Sequence, residues 1–183
     1  MVSIFIYSKD DPLGPAERLA QAAAHYAPGE GPWQTGRAPG GKPYFIDRPH
    51  VHFSISHSGA YWLCAMGAQP LGLDIQQHRS GAFSAIARRF FHPEEIDYLA
   101  QGSTFAFFQV WAAKESYVKY TGRGIRGDFG AFSVVENGKI KTRLEGAQLV
   151  FVPFSPAYTV CLCGMGLESS ALFRPSPSFG QEG

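Results

Sequence analysis

Glycine and proline divide this chain into short segments, and that division limits the folds that it can adopt. The 183 residues include 21 Gly and 13 Pro, a combined share about one and a half times the usual one. Between these breaks, the runs 51–57, 61–67 and 71–76 are rich in β-branched and aromatic residues, as strands are. Two longer segments, Pro15–Tyr26 and Thr104–Thr121, have helical spacing. We therefore expect an α+β protein with many turns.

Two of the predicted strands share the pattern Tyr-x-(Leu/Val)-Cys-x-x-Gly, at 61–67 and at 158–164. The match is either chance, because buried strands use few residue types, or the trace of an internal repeat. A repeat predicts two similar α+β halves, at 1–69 and 70–174, followed by a flexible tail at 175–183. A functional site is then expected in the groove between the halves.

Composition excludes several classes of protein. The 16 Lys and Arg against 15 Asp and Glu give a net charge of +1, which is too small for a nucleic-acid coat protein. The three cysteines, Cys64, Cys161 and Cys163, form no CxxC motif and predict buried thiols rather than a zinc site or a disulfide framework. The sequence shows neither a signal peptide nor an apolar run of about 20 residues. We expect a soluble cytoplasmic protein.

One predicted strand carries a carboxylate among apolar residues. Residues two apart on a strand point the same way, so Asp74 and Gln76 share a face while Leu73 and Ile75 occupy the other. A buried carboxylate is costly unless a cation or hydrogen-bond donors neutralise it. Asp74 is therefore either a site residue or a strand-end acid that faces water.

The longest predicted helix carries a second acid. Trp111, Glu115 and Lys119 are spaced i, i+4, i+8 and lie along one stripe of that helix. A surface Glu–Lys pair has the same spacing. The Trp on the stripe and the apolar remainder of the helix favour a lined cleft instead.

Two further segments offer groups that suit phosphate. The run 53–59 is dense in hydroxyls and contains His57; such donors bind phosphate oxygens. Ser56 and His57 are adjacent on a strand and point to opposite faces, and no Gly-x-Ser-x-Gly elbow is present, which argues against a serine hydrolase. Gly40-Gly41-Lys42-Pro43 lacks the spacing of a P-loop, but its lysine could reach a phosphate.

Taken in order, these segments resemble the 4′-phosphopantetheinyl transferase superfamily, specifically its larger Sfp-like group. The resemblance spans residues 41 to 125 and rests on these stretches: Gly41-Lys42-Pro43, Phe53-Ser54-Ile55-Ser56-His57-Ser58-Gly59, Pro70-Leu71-Gly72-Leu73-Asp74-Ile75, Arg88-Arg89-Phe90-Phe91 with Glu94-Glu95, Trp111-Ala112-Ala113-Lys114-Glu115-Ser116-Tyr117-Val118-Lys119 and Gly122-Arg123-Gly124-Ile125. It implies two α+β halves packed as an intramolecular pseudo-dimer, with the active site in the groove between them.

The resemblance also implies a reaction. Coenzyme A would donate its phosphopantetheine arm to a serine of an acyl or peptidyl carrier protein, releasing adenosine 3′,5′-bisphosphate. Asp74 and Glu115, with Gln76, would ligate Mg²⁺ at the diphosphate. Lys119 would steady the diphosphate and the leaving group. Glu115, or a water bound to the metal, would take the serine proton.

Other positions are implied to bind coenzyme A and the carrier protein. His57 with Ser56 would hold a phosphate of coenzyme A, Lys42 would lie at its adenosine end, and Lys114 would join the cofactor-binding set. The segment 88–91 would offer a basic and apolar lip to an acidic carrier protein, unless its two Phe side chains serve core packing. We expect a monomer that binds neither nucleic acid nor membrane.

Two alternatives stay open. Gln76 stands where many members of the family have a second acid, and an amide brings no charge to a metal. A degenerate member that binds a carrier protein or coenzyme A without turnover would tolerate this change. A metal-dependent phosphohydrolase would need an activated water and, usually, more ligands.

Overall fold

The computed structural model describes residues 1–124, 129–167 and 172–175, the last four by their backbone alone. It contains four described helices: α1 (Pro15–Tyr26), α2 (Phe83–Phe90), α3 (Pro93–Gln101) and α4 (Thr104–Thr121). The described strands are β1 (Ser3–Ser8), β2 (Thr35–Arg37), β3 (Pro43–Phe45), β4 (His52–Ser58), β5 (Tyr61–Gly67), β6 (Leu71–Gln77), β7 (Val135–Glu136), β8 (Lys139–Ile140), β9 (Arg143–Leu144), β10 (Ala147–Phe151), β11 (Tyr158–Gly164) and β12 (Leu172–Pro175). The expected α+β class is confirmed.

Local sequence signals explain where the helices begin and end. Helices α1 and α3 both start with Pro in their first turn, where its missing amide costs no hydrogen bond. Helix α4 ends at Gly122, whose φ of 70° lies in the left-handed region that glycine adopts readily. The turn Asn137-Gly138 joins β7 to β8, as that dipeptide predicts.

Two four-stranded sheets form the framework, with strand orders β12-β1-β5-β4 and β6-β11-β10-β9. The segments with the shared sequence pattern are β5 and β11, and each is an inner strand of its sheet. In both strands, a half-buried Tyr is followed by six buried residues. The short pair β2 and β3 lies within the segment 27–48, which is rich in Gly and Pro.

The last described strand, β12, returns from the second sheet to the first. Strand β12 pairs in parallel with β1, so the backbone of 172–175 extends the first sheet. The expected boundary between two halves, at residues 69 and 70, falls in the turn between β5 and β6. The division into two halves stays a prediction. Of the expected tail, 175–183, only Pro175 lies within the described residues.

Helix α4 packs against the second sheet through Gly72 of β6. A side chain at Gly72 would collide with the backbone carbonyl of Ser116 and the amide of Tyr120. This close approach brings the face of α4 that carries Glu115 and Lys119 against β6.

Among the helices that the structure describes, none is both long and apolar enough to cross a bilayer.

The three cysteine side chains are buried, as the sequence predicted. Cys64 lies on β5, and Cys161 and Cys163 lie on β11; all three thiols are free and have no exposed surface. Burial raises the pKa of Cys163 to about 12. These thiols therefore belong to the core.

Candidate active site

The centre of the site is Asp74, a buried acid on β6 whose two carboxylate oxygens are both bonded. Its side chain is 3% exposed. The Oδ1 atom accepts hydrogen bonds from Lys119 Nζ at 2.7 Å and from Ser56 Oγ at 2.8 Å. The Oδ2 atom accepts one from Gln76 Nε2 at 2.7 Å. An ammonium and two neutral donors thus offset the cost of burying this charge.

Lys119 connects α4 to both sheets. Besides Asp74, its Nζ donates to Ser56 Oγ at 3.0 Å and to the carbonyl of Leu73 at 3.1 Å. Its side chain is 27% exposed, against 3% for that of Asp74. The side chain of Lys119 is therefore less enclosed than the carboxylate that it binds.

Glu115 lies one helical turn before Lys119 and faces the same cluster. It is buried, with a pKa raised to about 7. Desolvation is the main cause; the charge of nearby Asp74 raises the pKa further, and Lys119 lowers it. The structure therefore brings together Asp74, Glu115, Lys119, Ser56 and Gln76, which the sequence placed in one site.

Lys42 lies beside this cluster, at the end of α4. Its Nζ donates to the carbonyls of Leu71 and Tyr120, both at 3.0 Å. Burial lowers its pKa to about 8. A cavity of about 270 Å³ opens here between the Lys42 loop, β4 and the end of α4, and Lys42, Ile55 and Lys119 are among the residues that line it. A phosphate-bearing ligand in this cavity would meet both ammonium groups.

Lys114 does not join the cluster, contrary to the prediction. Its ammonium is fully buried and pairs with Glu95 at 2.8 Å. It also donates to the carbonyl of Phe132 at 2.6 Å and lies 4.1 Å from the centroid of that ring. Successive residues on a helix point about 100° apart, so Lys114 and Glu115 face different neighbours. We assign Lys114 a structural role, which corrects the expectation that it binds coenzyme A.

His57 and the segment 88–91 lie apart from the acid cluster. His57 is exposed and alternates with buried Ser56 along β4. In the segment 88–91, Phe91 is buried against Phe107 and other rings, whereas Phe90 is 41% exposed with the Arg89 guanidinium 5.1 Å from its centroid. One of the two phenylalanines therefore packs in the core, and the other is available to a partner.

The donor chemistry of the cluster fits a magnesium ion in part. No group of three or more His, Cys, Asp or Glu side chains suited to a metal occurs among the described residues. The cluster instead offers two carboxylates, with the Gln76 amide next to them. Magnesium commonly binds one or two carboxylates and completes its shell with waters and substrate phosphates. Two buried carboxylates, close enough for one to raise the pKa of the other, would be stabilised by such a cation.

Sequence reasoning assigned no role of their own to two buried residues, Ser54 beside the cluster and Glu95, the partner of Lys114. Ser54 Oγ accepts from the amide of Leu73 at 2.9 Å. Glu95, fully buried, accepts from Lys114 and from the amide of Val134. The spacing of serines at 54, 56 and 58 was a usable signal for Ser54, because it places three hydroxyls on one strand face. Glu95 lies in one of the stretches that carry the family resemblance, but no spacing in the sequence predicts its pairing with Lys114.

Comparison with known proteins matches the part of the chain that contains this cluster. A family model for the 4′-phosphopantetheinyl transferase superfamily matches residues 70–163, which include Asp74, Glu115 and Lys119. A 4′-phosphopantetheinyl transferase from Bacillus subtilis is 40% identical over 119 residues, 61% of this chain and 53% of that protein. The Sfp transferase of Bacillus subtilis strain 168 is 34% identical over 133 residues, 67% of this chain and 59% of that protein.

A further relative, the psf-1 transferase of Bacillus pumilus, is 35% identical over 133 residues, 67% of this chain and 57% of that protein. The chain thus spans little more than half the length of these curated relatives. The family match covers half of the chain and includes the strand and the helix that build the acid cluster. The chain therefore belongs to the 4′-phosphopantetheinyl transferase superfamily, in its Sfp-like group.

Proposed function

We propose that this protein transfers the 4′-phosphopantetheine arm of coenzyme A to a serine of an acyl or peptidyl carrier protein. The observation that carries the proposal is the convergence of Asp74, Glu115 and Lys119 from β6 and α4 beside an open cavity. Phosphoryl transfer depends mainly on positioning and charge neutralisation. Two acids and an ammonium at one point supply the groups for both.

The proposed reaction breaks the diphosphate of coenzyme A. The serine oxygen of the carrier protein bonds to the phosphorus next to the pantetheine, and the bond from that phosphorus to the bridging oxygen breaks. Adenosine 3′,5′-bisphosphate leaves, and the serine proton passes to the buried carboxylate of Glu115. Lys119, partly exposed, neutralises charge on the diphosphate and the leaving group.

Asp74 and Glu115 would hold Mg²⁺, with Gln76 next to them. When bound, the ion would neutralise charge on the diphosphate oxygens. In the ligand-free chain Lys119 holds that place on Asp74. Gln76 Nε2, by donating to Asp74 Oδ2, keeps the carboxylate oriented.

Coenzyme A would bind across the two sheets. We propose that the sheets belong to two similar halves of a pseudo-dimer, with Ser56 and His57 contributed by the first and Asp74 by the second. Ser56 and His57 would hold a phosphate, and Lys42 would lie at the adenosine end. The cytoplasmic location and the monomeric state stay predictions.

Mass spectrometry tests the proposal directly. An apo carrier protein incubated with the full chain, coenzyme A and Mg²⁺ should gain one phosphopantetheine on its serine. Asp74→Asn, which keeps the size of the side chain but removes its charge, should reduce the initial rate by roughly a hundredfold or more. Asp97 is an exposed residue of α3, so Asp97→Asn is the matched control and should label the carrier protein at the wild-type rate. Absence of labelling by the wild-type chain at every Mg²⁺ concentration would contradict the proposal.

Binding without turnover is the second candidate. The observation that favours it is Gln76, whose amide brings no charge and donates to Asp74. Calorimetry separates the two: coenzyme A binding by a chain that never labels a carrier protein would indicate a binding protein. Cleavage of the coenzyme A diphosphate without labelling of the carrier protein would indicate a hydrolase.

A further inference from the structure

Strands β4 and β6 lie at the edges of two different sheets, and side chains join them. Strand β4 ends the first sheet and β6 begins the second. Three serine hydroxyls of β4 accept hydrogen bonds from backbone amides of β6. The pairs are Ser54 with Leu73 at 2.9 Å, Ser56 with Ile75 at 3.3 Å and Ser58 with Gln77 at 2.9 Å. We call these three serines the serine seam.

The seam is regular. Each serine is 19 residues before its partner, so the two strands run in the same direction, and alternate residues of one bond to alternate residues of the other. A strand edge has unpaired amides and carbonyls that normally pair with another strand. Here serine hydroxyls satisfy the amides, and the ammonium groups of Lys42 and Lys119 satisfy the carbonyls of Leu71 and Leu73.

The middle residue of the seam also belongs to the acid cluster. Ser56 Oγ accepts from the amide of Ile75, donates to Asp74 Oδ1 and accepts from Lys119 Nζ. Its place therefore depends on how closely β4 lies against β6. Ser54 sets that distance at the neighbouring position, because Leu73 bonds Ser54 through its amide and Lys119 through its carbonyl. Ser58 sets it on the other side.

We propose that the hydroxyls of Ser54 and Ser58 are positioning groups that hold Ser56 against Asp74 and Lys119. They would then also set the distance between the residues of the first sheet and those of the second that bind coenzyme A. This second role rests on the proposed function. Ser54 also lines the cavity beside Lys42, but it is 5% exposed and its hydroxyl is bonded to the Leu73 amide, so we assign it to holding the strands together. Loss of its hydroxyl leaves the Leu73 amide without that partner, and β4 relaxes away from β6.

The test combines amide exchange in the ligand-free chain with labelling kinetics. In Ser54→Ala, the Leu73 amide should exchange faster, and so should the Ile75 amide, because the shift of β4 also weakens the bond to Ser56. The KM for coenzyme A should rise roughly tenfold, the ratio that follows from losing one favourable hydrogen bond, with a smaller change in kcat. Ser54→Thr keeps the hydroxyl and should restore both readouts towards wild type.

Ser133→Ala is the matched control. Ser133 is 7% exposed, and its hydroxyl accepts from the amide of Val135, two residues along the same segment. Its loss should leave the KM for coenzyme A unchanged and should not speed exchange at Ile75 more than at other core amides. Ser58 is half-buried, so Ser58→Ala provides a second, milder variant should Ser54→Ala not fold. In that variant the Gln77 and Ile75 amides should exchange faster.

The outcomes separate the seam from the proposed function. Faster exchange at Ile75 in both alanine variants, with a raised KM for coenzyme A, supports the inference. The inference is overturned if the exchange rate of the Ile75 amide in Ser54→Ala stays within about twofold of wild type. It is also overturned if Ser133→Ala raises the KM for coenzyme A as much as Ser54→Ala does. If the wild-type chain labels no carrier protein, the proposed function fails, and the exchange readout alone still decides whether the outer serines hold Ser56 in place.

Discussion

At the scale of single residues, the cluster contains two carboxylates, Asp74 and Glu115, which are close together and buried. Asp74 has three donors, whereas desolvation and the charge of Asp74 dominate the environment of Glu115. The pKa of Glu115 rises as a result. Its ionised form therefore lowers the stability of the ligand-free protein.

The first prediction concerns stability against pH without divalent metal. The folded pKa of Glu115, about 7, exceeds its ordinary value of 4.5, so between these values the folded state binds more protons than the unfolded state. The contribution of this group is fully favourable below about pH 4.5 and is lost as the pH rises to about 7. Glu115→Gln should therefore be more stable than wild type at pH 8, by roughly 3 kcal/mol at most.

Urea unfolding at several pH values from about 4 to about 8 measures this difference in the free energy of unfolding. Glu136→Gln provides the control, because the Glu136 side chain is 66% exposed and should not change the pH dependence. An equal pH dependence in wild type and Glu115→Gln would contradict the prediction. Activity of Glu115→Gln should nevertheless fall, since the proposed base is gone.

At the scale of elements, the pairing of α4 with β6 brings Glu115 and Lys119 to Asp74. Gly72 permits the approach because a side chain there would collide with the backbone at Ser116 and Tyr120. On the other side of α4, the buried pair Lys114–Glu95 ties the helix to the start of α3. Each contact fixes one face of α4, so together they set the direction of Glu115 and Lys119.

The second prediction follows from the close approach at Gly72. Gly72→Ala should destabilise the protein by about 1–3 kcal/mol, the usual cost of overpacking, and should slow labelling because α4 moves away from Asp74. Gly130→Ala is the control: its new side-chain atom would lie 3.4 Å from the nearest atom, the Phe90 carbonyl oxygen. Chemical denaturation and labelling rates measure both effects. Wild-type rates in Gly72→Ala would show that the approach does not position the helix.

At the scale of the whole molecule, the inner strands β5 and β11 carry the thiols in the middle of the two sheets. Burial raises the pKa of all three thiols above their ordinary value. Thiolate is the reactive form, and none of the three sulfurs is exposed. Their reactivity therefore reports the opening of both sheets.

The third prediction is that iodoacetamide modifies none of the three cysteines in the native chain at pH 8, whereas all three react in denaturant. Intact-mass measurement counts the added groups. Wild-type protein incubated in rising urea should acquire the groups at the unfolding transition. A native chain that gains a label within minutes, on the order of the reaction time of an exposed thiol, would contradict the buried assignment.

The fourth prediction concerns the segment 88–91, which the proposed function would use to dock an acidic carrier protein. Arg88, Arg89 and Phe90 are exposed on α2, whereas Phe91 is buried. Replacing both arginines with Glu should raise the carrier KM by roughly tenfold through charge repulsion with an acidic partner. Coenzyme A affinity, measured by calorimetry, should stay unchanged. Unchanged carrier kinetics would exclude this lip as the docking surface.

Local sequence pattern predicted much of the fold and part of the site. The bounds of α1 and α4 follow from spacing, Pro and Gly, and the hairpin at Asn137-Gly138 follows from turn chemistry. Helical spacing placed Glu115 and Lys119 on one face, and strand alternation placed Asp74 beside Gln76. Lys114 was assigned by resemblance rather than by spacing, and the structure turns it towards Glu95 instead.

What the sequence by itself determined is the direction of each side chain within its own strand or helix, because the periods of 2 and 3.6 residues are local properties of the backbone. Only the tertiary structure decided which of these faces meet. The seam between β4 and β6 joins residues 19 apart, and Lys119 reaches Asp74 across 45 residues. Such pairings depend on how whole faces pack against one another, as Gly72 against α4 shows, and no short stretch of sequence contains that information.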